Sequence, residues 1–157
     1  MTDNTVLTSV AIDAGSALEA AVKGRANILA LTRAAENAVL RPRDPGPWSH
    51  ALRAALAARI AGLNGAADLA ARHAAEAGDF AALVHPDADG AAQGLAAVVA
   101  FMDKVAMATR DVTADDIAGL QAAGVADADI VRLAELNAFL SYQIRVIAGL
   151  RLIGKAS

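Results

Sequence analysis

DADIVRLAELNAFLSYQIRVI, residues 127–147, decides the fold class. Ile130, Leu133, Asn137, Leu140, Ile144 and Ile147 recur at spacings of three and four, the period of one helical stripe. Asp127 stands where an N-cap carboxylate would satisfy the first free N–H groups of that helix. Val131, Phe139, Tyr142 and Val146 fall off the stripe. A helix that is apolar on more than one side is covered on more than one side, so this element is expected to face both the core and a neighbouring subunit.

The rest of the chain carries the same helical signal. Of its 157 residues, 56% are apolar and only 3% aromatic, with alanine dominant. Alanine is the best helix former and is depleted in sheets, and no segment of useful length alternates with the period of a strand. Ser16 with Glu19 has the spacing of a capping box. The helix it opens is expected to break near Gly24 and resume from 26 to 40. Arg41-Pro42-Arg43-Asp44-Pro45-Gly46-Pro47 is a breaker. Ser49 then caps a helix to Leu63, with Leu52, Leu56 and Ile60 on one stripe. Asn64-Gly65 marks a turn, and a further helix is expected to close at Gly78. After the loop around His85-Pro86, helices are expected over 92–108 and from Thr113, again capped with Asp116, to Gly124. The chain thus reads as a polar arm (1–14) followed by one all-α domain (15–157). An alanine-rich core buries little area per position, which favours oligomerisation.

Composition excludes several classes of function. The net charge is −3, and the arginines are scattered without a basic stripe, which argues against nucleic-acid binding. Mean hydropathy is +0.40. Even so, the best apolar run, residues 94–102, falls well short of the roughly 18 residues that span a bilayer. No basic region followed by an apolar stretch opens the chain, so no signal peptide is expected, and the expected compartment is by default the cytoplasm. There is no cysteine, so disulfides and thiolate chemistry are excluded. His50, His73 and His85 share no ligand spacing, Asp87-Ala88-Asp89-Gly90 lacks the remaining ligands of a calcium loop, and no metal or cofactor is expected. Three lysines beside many arginines and alanines suggest a high-GC bacterial source.

Two stretches resemble a known family. Leu63-Asn64-Gly65 followed by Ala66, Leu69 and His73 is similar to the segment of AhpD-like (carboxymuconolactone decarboxylase, peroxidase-related) domains in which L-N-G precedes C-x-x-C and a histidine. Val112-Thr113 with Asp116-Ile117, Leu120, Ala123-Gly124, Asp127 and Ile130, then Ala138-Phe139-Leu140-Ser141-Tyr142-Gln143-Ile144-Arg145, resembles the same family's V-T-x-x-D and A-(Y/F)-F-N-x-x-N-R segments. Ser141 and Ile144 replace its usual asparagines. The resemblance covers about residues 48–153, within a signature region of 48–157 that follows the N-terminal helices at 15–40. It implies an AhpD-like orthogonal helical bundle that works as an oligomer.

The departures remove the family's peroxidase chemistry. Ala66 and Leu69 stand at the two cysteine positions, and neither can form or resolve a sulfenic acid. No acidic residue lies between Asp44 and Asp68, where the family's relay glutamate would be. His73 survives, either as an acid/base group or as a packed helix histidine paired with Glu76. Asn137, Tyr142 and Arg145 could line a pocket or form a structural network. Asp68, Arg72 and Glu76 have the spacing of a solvated ion-pair ladder. Two functions follow. One is a non-catalytic, oligomeric or partner-binding homologue (a pseudoenzyme), which could associate with a cysteine-containing AhpD-like relative. The alternative is a thiol-independent decarboxylase or isomerase acting through His73 on a small acidic or lactone substrate, with Arg145 or Arg72 holding a carboxylate.

Overall fold

The computed structural model describes residues 4–156. Among them there are eight α-helices, three 3-10 turns and no strand. The helices are α1 (Thr5–Thr8), α2 (Ala17–Gly24), α3 (Ala26–Leu40), α4 (His50–Leu63), α5 (Ala67–Ala74), α6 (Ala96–Met107), α7 (Ala114–Ala122) and α8 (Asp127–Ala156). They form a single all-helical domain. No helix among the described residues is long and apolar enough to cross a membrane.

Two helices hold the domain together. α4 packs on α3, α5, α6, α8 and the 3-10 segment Gly78–Val84, while α8 packs on α1, α2, α3, α4, α6 and α7. The periodicity of α4 places Leu52, Leu56 and Ile60 on one stripe, but every residue from 52 to 61 is buried. Its alanines let neighbours approach from all sides, so the helix is central rather than amphipathic. Fully buried Leu56, Ile60, Leu83, Met102, Leu133 and Leu140 form the heart of the core. Each such side chain contributes about 1.5–3 kcal/mol relative to exposure.

Most helix starts follow the local sequence. The Ser16 hydroxyl accepts from the Glu19 N–H, and the Glu19 carboxylate reaches back to the Gly15 N–H. The Ser49 hydroxyl accepts from the Leu52 N–H. The Asp116 carboxylate accepts from the Thr113 N–H. The break between α2 and α3 falls at Arg25, directly after Gly24.

Four boundaries differ from expectation. α8 begins at Asp127 itself, whose carboxylate accepts from Gln121 and complements the helix dipole from inside the first turn instead of capping it. α5 stops at Ala74, four residues before the left-handed Gly78. The turn at Ala91–Gln93 is cut from α6 by Gly94, which also has positive φ. Finally, the segment read as an N-terminal arm is packed from its first described residue. Val6 is fully buried, and Asn4, 6% exposed, donates its side-chain amide to the Leu29 carbonyl. Val6, Leu7, Val10 and Ile12 are the apolar residues that dock it. Residues 1–3 of the arm lie outside the described residues.

Candidate functional site

His73 lies on the inner face of α5, one turn after Leu69, and is 2% exposed. Burial lowers its pKa to about 4, with Glu76 working in the opposite direction and Arg72 and Arg41 adding to the fall. The imidazole is therefore neutral at pH 7. Gln143 from α8 lies beside it, yet His73 Nε2 and Gln143 Oε1 meet no hydrogen-bond partner of acceptable geometry. The other end of the Gln143 amide donates to Glu36 Oε2 at 3.0 Å, and Thr5 Oγ1 donates to Glu36 Oε1 at 2.6 Å. Glu36 is itself 5% exposed. Four helices thus bring a threonine, a buried carboxylate, an amide and a neutral imidazole into one polar chain. His73 lines none of the clefts of the domain described here.

Ala66 and Leu69, which the resemblance sets against cysteines, lie elsewhere. Ala66 and Leu69 help wall a cleft of about 140 Å³ together with Ser9, Asn64, Ile147 and Arg151. Arg151 spans its mouth, donating to the Ser9 carbonyl and to Asp68. Ser9 gives its hydroxyl proton to the Thr5 carbonyl, and the Asn64 amide donates to the Ile60 carbonyl. The polar groups of this cleft are engaged with backbone or with each other, and none is paired with a base that would activate it.

Asn137, Tyr142 and Arg145 are not brought together. Asn137 points into the core, 1% exposed, and donates to the Met102 carbonyl at 2.9 Å, while its Oδ1 has no partner. Tyr142 and Arg145 point outward on the opposite side of α8. The Tyr142 hydroxyl shares a hydrogen bond of 2.8 Å with Thr32. Its ring joins Leu31, Ala35 and Phe139 around an apolar surface groove of about 330 Å³. The ladder of Asp68, Arg72 and Glu76 is replaced by links between elements. Asp68 pairs with Arg151, Glu76 takes two bonds from Arg41, and Arg72 donates to Thr8. α5 ends at Ala74, so Glu76 lies beyond the helix on which the ladder would depend. A polar cleft of about 250 Å³ between α1, α3 and α5 gathers Arg33, Arg41 and Arg72 above Glu36.

The histidines and the acidic loop have local roles. The His50 Nε2 hydrogen-bonds the Pro42 carbonyl. Asp89 accepts from the Ala91 N–H, turning the chain at Gly90, where a Cβ would lie 2.7 Å from Val99 Cγ2. Among the described residues, no group of three or more acidic, histidine or cysteine side chains is placed to hold a metal ion.

The sequence reading missed two buried and heavily hydrogen-bonded side chains. Arg53 and Arg59 on α4 are each 2% exposed. Arg53 donates to the carbonyls of Val39, Pro45 and Trp48, fastening the proline-rich loop. Arg59 donates to the carbonyls of Leu83, His85, Pro86 and Ala88, fastening the second loop, and pairs with Asp103 of α6. Their signal was a charged residue inside an alanine and leucine helix with no acidic neighbour at i±4. No family model matches the chain, and no curated protein or solved structure matches it.

Proposed function

We propose that this chain is a non-catalytic, self-associating homologue of the AhpD-like domains, a helical subunit that retains the family's segments without its thiol chemistry. One observation carries this reading. The only residue that would survive from the family's site, His73, is buried and neutral, whereas large apolar side chains stand exposed on the outer face of the domain. Leu31 is 64% exposed, Val131 55% and Leu152 66%. Leu31 also lines, with Phe139 and Tyr142, an apolar surface groove of about 330 Å³, and apolar surface of this kind is what association covers. The partner is a second copy of the chain, with a cysteine-containing AhpD-like relative as the further subunit such an assembly could hold. The alternative, a decarboxylase or isomerase using His73, requires a substrate to touch an imidazole that lines no described cleft, and Arg145 faces away from it.

The native mass of the purified protein, measured by light scattering, tests this proposal alongside turnover assays on small lactones and acids. An assembly that is a multiple of the 15.9 kDa chain, without turnover, is the expected result. A monomer whose lactone or acid turnover disappears in His73→Gln would replace it with the enzymatic reading.

A further inference from the structure

We propose that the outward side of α8 is an antiparallel two-fold seam on which a second copy of this chain packs. The proposal rests on the self-association reading above and adds its surface, register and symmetry.

The buried residues of α8, among them Leu133, Leu140 and Ile147, lie on one side of the helix. Directly opposite runs a row of exposed positions whose spacing alternates between three and four, the repeat of a coiled-coil seam. This row reads the same in both directions about the level of Leu140. Val131 and Gly149 are equidistant from it, as are Glu135 and Arg145, and Ala138 and Tyr142. Ala128 and Leu152 extend the pattern at the ends. When two copies of α8 cross head to tail at that level, each position faces its counterpart in the other chain. A small residue then receives a large one at Ala138–Tyr142, Gly149–Val131 and Ala128–Leu152, and the carboxylate of Glu135 meets the guanidinium of Arg145. A two-fold interface must be self-complementary in this sense. A parallel pairing would instead oppose Glu135 to Glu135 and Arg145 to Arg145.

Two features of the single chain fit this seam. Gly149 sits inside a 30-residue helix, where glycine is disfavoured relative to alanine, yet a Cβ there would meet no atom within 4 Å among the described residues. Close approach of another helix gives that missing side chain a function. Glu135 and Arg145 are exposed and make no salt bridge among the described residues. Each supplies the charge the other would meet across the dyad.

Charge reversal tests the register. Glu135→Arg, Arg145→Glu and the double variant are compared with the wild type by sedimentation equilibrium, with circular dichroism to confirm folding. Each single variant is expected to raise the dissociation constant by about tenfold or more, because it places like charges face to face twice per dimer, and the double variant to recover most of that loss. Gly149→Leu, which has open space in its own chain, is expected to fold normally and to weaken association. A wild-type assembly that none of these variants changes would overturn the seam while leaving self-association intact. Single variants that weaken assembly without recovery in the double variant would overturn the antiparallel register. A wild type that remains monomeric up to its solubility limit would overturn both the seam and the reading beneath it.

Discussion

Arg59 and Asp103 meet side-on, Nε to Oδ1 at 2.6 Å and Nη2 to Oδ2 at 2.7 Å, and so lock α4 to α6. The same guanidinium also gathers four backbone carbonyls from residues 83–88. Burying this charge is tolerable only because every face of the fork is used. The domain therefore depends on Arg59 more than on Asp103, whose side chain keeps 32% of its exposure.

Replacing Arg59 by Met would leave a partly buried carboxylate and several carbonyls unpaired. The expected cost is about 3–5 kcal/mol, seen as a lower denaturation midpoint with an unchanged slope. Asp103→Asn retains the four carbonyl bonds and is expected to cost only about 1–2 kcal/mol. Equal losses from the two substitutions would show that the ion pair, and not the loop anchoring, carries the stability.

Arg53 makes a different prediction because its three bonds all go to neutral carbonyls. A lysine has the charge but not the fork, and its single ammonium cannot span the Trp48, Val39 and Pro45 carbonyls. Arg53→Lys is expected to cost about 2–4 kcal/mol and to raise proteolytic cleavage within residues 41–47 before the rest of the domain opens. Cleavage there at the wild-type rate would mean that the prolines alone hold the loop.

Helices whose ends carry their own signals were legible in the sequence. Ser16, Gly24, the proline run and Ser49 act through neighbours a few residues away, so local chemistry sufficed to place them. The surroundings of α4 were not legible, because alanine reports neither face of a helix and no local motif in the sequence marks Arg53 and Arg59 as buried. Arg145, read as a possible pocket or network residue, is exposed. The Thr5, Glu36 and Gln143 chain joins residues 31 and 107 positions apart, beyond any local pattern. Val131 and Tyr142 were legible as apolar positions off the buried stripe, and the structure leaves both exposed.

The buried imidazole should make acid stability depend on His73. Its folded pKa, about 4, lies below the ordinary value of 6.5 because burial penalises the cation. Between those two values the unfolded chain binds a proton that the folded chain refuses, so stability rises with pH through this window. Above pH 6.5 neither state is protonated at His73 and the residue costs nothing. As pH falls toward 4 the penalty grows, and below 4 it stays at its full size. His73→Leu removes this term, while the carboxylates that also titrate in the range are common to both proteins and cancel in the comparison. The variant is therefore expected to gain about 2 kcal/mol on the wild type between pH 7 and pH 4.5, measured by urea unfolding at each pH. If the difference between the two proteins were the same at both pH values, the imidazole would be accepting its proton in the folded state as readily as in water. His73 would then be reachable from solvent, and the case for acid/base chemistry at that residue would reopen.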